Sequence, residues 1–112
     1  MTVPIGAHEL PRLMQVWRAT TVGDGAGGQV VTRAHVGAVR ARVSQPAAAE
    51  RLAAGQAGAR LDAVVHLQPD ADVRRGDELR DGAETYRVAA TVAPSEPVYL
   101  RAECERVQSE ET

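Results

Sequence analysis

The chain has 112 residues, with 13 arginines and no lysine against 15 aspartates and glutamates, for a formal net charge of −2. That balance argues against a nucleic-acid coat or an anionic membrane surface as the main partner. The single cysteine, Cys104, cannot close an internal disulfide, and no signal peptide or membrane-spanning apolar run is legible, so synthesis in the cytoplasm is expected.

One domain is expected at this length. Its hydrophobic content of 44% is mostly alanine and valine; phenylalanine is absent and the aromatics are Trp17, Tyr86 and Tyr99. Large side chains contribute most of the area a core buries. The core should therefore be thin, and such a domain gains from neighbouring subunits. The exclusive use of arginine fits planar carboxylate pairing at interfaces, but the codon bias of a GC-rich genome is the simpler reading.

Residues 1–12 carry two prolines, a glycine and His8 without periodicity and read as an N-terminal arm. Leu13 to Val22 is rich in β-formers and predicts a first strand. Gly23 to Gly28 (GDGAGG) holds four glycines in six residues and reads as a flexible hairpin loop. Gln29 to Ser44 extends again, with Val39, Ala41 and Val43 on one face and Arg40, Arg42 and Ser44 on the other. Pro46 to Ala54 predicts a short helix, started by proline and stopped at Gly55, too short to be stable alone.

Leu61 to Gln68 alternates, with Leu61, Ala63, Val65 and Leu67 inward. Pro69 to Asp77 reads as a polar turn, Glu78 to Arg80 as a short strand, and Asp81-Gly82 as a tight turn. Thr85 to Val92 places Tyr86, Val88, Ala90 and Val92 inward. The last strand turns Val98, Leu100, Ala102 and Cys104 inward, and residues 108–112 form a polar acidic tail. The fold class expected is all-β: a small antiparallel barrel or sandwich of five to six strands over residues 13–107, with one short helix or mobile loop inserted after the second long strand.

Chemistry is hard to find. GDGAGG is followed by a strand, whereas a phosphate cradle opens a helix. Asp70, Asp72 and Asp77 fit no calcium loop, and Arg75-Gly76-Asp77 is a chance tripeptide. His8, His35 and His66 are scattered, so no metal site is expected. Cys104 lies on the apolar phase of its strand, where a thiol is inert. No acid–base pair or nucleophile elbow is present. Arg40 and Arg42 supply charge for an oligonucleotide-binding sheet, but their strand face offers no stacking aromatic. No catalytic residue, metal or cofactor is expected, and no enzyme.

From about Met14 to Val107 the chain resembles the phage head–tail joining family, the head-closure or stopper proteins. The resemblance rests on Arg18-Ala19 in the first strand, a loop ending in Gly27-Gly28, and the series Val36, Val39, Ala41, Val43. It continues with a proline-started segment (Ser44, Gln45, Pro46) bearing Glu50, a D-x-L-x-D-G-x-x-Y-x-V stretch from Asp77 to Val88, and a final V-x-L-x-A-x-C strand. Arg33 and Arg40 stand where similar proteins often carry tryptophan, and His66 where they often carry arginine.

The resemblance implies a sixfold or twelvefold ring of this chain below the portal and adaptor, closing the DNA-filled head and presenting a face to tail proteins. Packaged DNA would pass the channel without sequence recognition, and no membrane is involved. Localisation would be the head–tail interface of the virion, with the host cytoplasm as the site of assembly. The family's gate maps to 45–60: Gln45, Pro46, Glu50, Arg51, Leu52, Gly55, Gln56, Gly58 and Arg60. Gly23, Asp24, Gly25, Gly27 and Gly28 are the expected contact with a neighbouring ring. The alternatives are a tail terminator or other neck protein, and, in another class, a small-barrel module binding nucleic acid or a peptide.

Overall fold

The computed structural model describes residues 9–82, 84–96 and 98–107; the arm before residue 9 and the tail from 108 lie outside it. Six strands and one helix follow in chain order: β1 Arg12–Gly23, β2 Gln29–Ser44, α1 Ala48–Gln56, β3 Ala63–Leu67, β4 Glu78–Asp81, β5 Glu84–Val92 and β6 Leu100–Val107. All pairings are antiparallel. The sheet closes on itself in the order β1-β2-β3-β6-β5-β4, so the expected all-β barrel with one inserted helix is what forms.

Alternation sets the interior. Met14 and Val16 of β1, Ala41 of β2, Ala63, Val65 and Leu67 of β3, Leu79 of β4, Tyr86 and Val88 of β5, and Ala102 and Cys104 of β6 form one buried cluster. Successive strand residues point to opposite faces, so a period of two turns one set inward on every wall. Three of these positions are alanine and one is aromatic, the thin core that composition implied. The Asp81–Gly82 turn is as expected: Asp81 faces Glu84, and Gly82 takes φ +59°, which a side chain resists.

Four departures have identifiable causes. Val73, inside the segment expected to be a polar turn, is buried in the core cluster, so this loop lends an apolar side chain to the interior. Leu10 is fully buried and β1 begins at Arg12, so packing starts ahead of Leu13. A β-bulge between Val88 and Ala90 reverses the phase of β5; Ala90 and Val92 then pair with outward-facing Glu103 and Arg101, and Val92 is exposed. A second irregularity, between Val16 and Trp17, leaves Val36 of β2 unpaired. Bulges of this kind kink and twist a strand.

Beyond that second bulge the β1–β2 hairpin leaves the barrel. β4 pairs with β1 only from Gln15 to Trp17, and β3 pairs with β2 only from Ala41 to Ser44. Residues 18–23 and 29–35 therefore continue as a two-stranded ribbon, and the molecule measures 54 × 32 × 30 Å. Val22, Val30 and Val31 on this ribbon are exposed.

Candidate functional site

Two features stand away from the barrel wall: the insertion between β2 and β3, and the tip of the ribbon. The insertion spans the gap between Ser44 and Val64, which are paired neighbours in the sheet. Its chain begins at Pro46, which is buried and precedes the helix by two residues instead of opening it. Ala47 caps the N-terminus with no side-chain hydrogen bond. No residue of α1 is buried, and Leu52 is 64% exposed.

The helix also ends later than expected. It passes through Gly55 to Gln56, and the stop is Gly58 at φ +77°. The Ala59 N–H donates to the Ala54 carbonyl at 2.8 Å and the Gly58 N–H to the Gly55 carbonyl at 3.0 Å, the paired closure of a Schellman motif. Glycine is required at the left-handed position, and Gly58 supplies it while Gly55 does not.

What ties α1 down is polar. Glu50, in its first turn, forms an ion pair with Arg101 of β6, which holds the Glu50 carboxyl below its ordinary value. Arg101 also approaches Glu103 at 3.4 Å, and its buried Nε has no hydrogen-bond partner among the described residues. Arg51 donates to the Gln45 side chain at 2.7 Å. At the exit, Arg60 pairs with Asp62 Oδ2 at 2.9 Å, and the same oxygen accepts the Arg106 N–H at 2.8 Å. Of the expected gate residues, the structure thus joins Glu50, Arg51 and Arg60 to partners, buries Pro46, and leaves Leu52, Gly55, Gln56 and Gly58 on the surface.

The ribbon tip is more organised than its glycine content suggests. Asp24 Oδ1 accepts the N–H groups of Ala26 at 2.8 Å and Gly28 at 3.0 Å. These two bonds lower the Asp24 pKa, because they favour the charged carboxylate. Gly25 and Gly27 take φ of +81° and +86°. A side chain at Gly28 would meet Asp24 Oδ2 at 2.5 Å. Gly23, Asp24, Gly25, Gly27 and Gly28 therefore make a shaped, exposed tip.

Ion pairs that sequence spacing could not reveal fix the ribbon's base. Arg18 bonds to Asp77 at 3.0 and 2.9 Å and to Asp72 at 3.0 Å, which lowers the Asp72 pKa. Asp77 is 1% exposed and also accepts the Arg74 N–H at 2.9 Å. The Arg75-Gly76-Asp77 tripeptide is thus a turn whose carboxylate is spent internally. On the outer wall Glu78, buried, is shared by Arg80 at 2.7 Å, Arg33 at 3.3 Å and Arg87 at 3.6 Å. Arg80 also stacks on Trp17 at 4.5 Å.

His8 lies outside the described residues, and among those described the remaining chemical candidates do not converge. Burial pushes the Cys104 thiol up to about 12, so it stays neutral. His35 packs on Trp17 and bonds to Gln15 at 2.6 Å. His66 packs edge-on against Tyr99, and burial followed by the charges of Arg101 and Arg42 lowers its pKa. Arg42 lies opposite His66, so one aromatic pair does neighbour an outward arginine of β2, contributed by β3 and by Tyr99 just ahead of β6.

Residues 5–107 match the family model described as phage head completion protein. The chain is also similar to a solved chain from the virion of a native gene transfer agent particle, with a TM-score of 0.59 and 26% identity over 89% of this chain and 97% of that one. Comparison with curated proteins gives no match. With the closed sheet, the inserted helix and a family match over nearly its whole length, the chain belongs to the phage head completion protein family.

Proposed function

We propose that this virion structural protein is a ring-forming head-closure protein, the stopper that joins the DNA-filled head to the tail and retains the DNA. It works by shape and self-association, without a reactive centre. The barrel is the frame, copies of it make the ring, and the insertion from Gln45 to Arg60 is the movable element reaching into the channel.

The observation that carries this reading is the contrast between the insertion and its anchor points. The ends of the insertion emerge from adjacent paired strands of a closed sheet, so its movement need not disturb the barrel. α1 buries no side chain and is latched to the wall through Glu50 and Arg101. A nine-residue helix has little stability of its own in water. Its refolding therefore costs little, as a gate requires. The shaped tip at Gly23–Gly28 is the second contact, facing the adaptor or tail ring.

Particles made without the protein test this directly. The expected phenotype under the electron microscope is tailless heads that have packaged DNA and then lost it. Overlong tails would instead indicate a tail terminator, and normal filled, tailed particles would overturn both readings.

A further inference from the structure

We infer that the ribbons of neighbouring copies join edge to edge, β2 of one copy beside β1 of the next, into a continuous antiparallel sheet around the ring. The inference rests on the ring proposed above and names the surface that builds it. Among the described residues, no strand pairs with β1 from Arg18 to Gly23 on the side away from β2. None pairs with β2 from Gln29 to Arg40 on the side away from β1.

The direction of the exposed backbone groups follows from the tip. Asp24 N–H donates to the Gly28 carbonyl, which makes that pair a hydrogen-bonded one. Antiparallel pairs alternate, so Val22–Val30 and Thr20–Thr32 bond within the ribbon. At Thr21–Val31 and Ala19–Arg33, the N–H and C=O groups point outward to the two free edges. Each ribbon thus presents matched rows of unpaired donors and acceptors, one row per edge.

Edge strands are commonly defended against pairing by lysine or proline. Residues 18–23 and 29–34 contain no lysine or proline. Their two charged residues, Arg18 and Arg33, turn back to Asp77 and Glu78 of their own barrel. Val22, Val30 and Val31 are exposed instead, Val31 at 65%. A lone two-stranded ribbon is marginal in water, and this one carries apolar side chains on both faces.

A second copy is the occupant the geometry selects. Rotation about an axis along the ribbon preserves strand direction, so β2 of one copy meets β1 of the next antiparallel, as β1 meets β2 within a copy. The two free edges are of different strands, so the contact is head-to-tail, the kind that builds a ring when the rotation between copies closes.

Residue-resolved hydrogen exchange on the full-length protein, free and in necks purified from particles, tests this. The Thr21 and Val31 amides should exchange fast in the free subunit and at least about 100-fold more slowly in the neck, the mark of newly closed backbone bonds. Thr20 and Val30 should be protected in both states. Fast exchange of Thr21 and Val31 in a neck that still contains a ring would overturn edge pairing while leaving the ring; protection already present in the free subunit would overturn it too. A single copy per particle would overturn the ring itself. As a second test, Val31→Pro deletes one outward N–H at an edge position where proline is tolerated. It should abolish incorporation into particles, whereas Val31→Thr should incorporate normally; equal incorporation of both variants would contradict the inference.

Discussion

Ala41 and Val31 lie on one strand, yet they inhabit different molecules in effect. At Ala41, β2 is paired on both flanks, with Arg12 of β1 and Leu67 of β3, and the side chain is fully buried. At Val31 the strand has a partner on one flank, and the side chain faces water. Strand-forming residues produce extended chain in both places. Only closure of the sheet converts that chain into a stable core. On the edge pairing inferred above, what lies outside the closure is completed by other subunits.

The sharpest way to break this contrast is to compare truncations in the two regions. Leu79→Ala in the thin core should cost about 3 kcal/mol by denaturant unfolding, the range for a buried leucine. Val31→Ser on the ribbon should stay within about 0.5 kcal/mol, as surface changes do. Similar losses at both sites would mean that the ribbon is part of the cooperative core. Asp77→Asn should fall between them, at about 2 kcal/mol, since it weakens charge-assisted bonds from Arg18 and the Arg74 N–H to a buried carboxylate. The accompanying loss should be largest for exchange protection at the ribbon base.

Arg101→Ala sharpens the same comparison for the insertion. The melting temperature should barely move, while amides of residues 51–56 exchange faster; a large drop in melting temperature would show that α1 braces the barrel. The smallest expected effect is on pH dependence. His66 has a folded pKa below its ordinary 6.5, so the folded state disfavours protonation. Its contribution is complete above pH 6.5 and declines as pH falls below that value. His66→Gln should flatten the stability profile just below pH 6.5. Further acidification then protonates Asp24, Glu50, Asp72 and Glu84, whose folded pKa values are lowered, and stability should fall again below about pH 4.5.

Much of the frame was legible because burial of one face forces a period of two. Met14 and Val16 aside, the inward rows of β2, β3 and β6 can be read from alternation, and Asp81-Gly82 marks its own turn. The bulges were not legible: nothing in Val88-Ala89-Ala90 announces that the phase reverses there, so Ala90 and Val92 read as inward. Val73 is one apolar residue among polar neighbours and has no period to betray it. For the candidate site, the position and composition of 45–60 were visible. The Glu50–Arg101 latch and the Arg18–Asp77 anchor were not, because their partners are 51 and 59 residues apart and meet only through barrel register. The choice of Gly58 over Gly55 as the stop depends on where the helix begins, and Pro46 lies ahead of that start.

A rigid closed frame carrying a gate that folding does not need is put at risk by replacing 45–60 with a short glycine-serine loop from Ser44 to Leu61, just ahead of β3. DNA retention in the resulting heads is the measurement, with the melting temperature of the purified variant as its companion. A folded protein with near-unchanged melting temperature and heads that leak their DNA are the expected results. Heads that remain filled, with the folded variant incorporated, would contradict the gate.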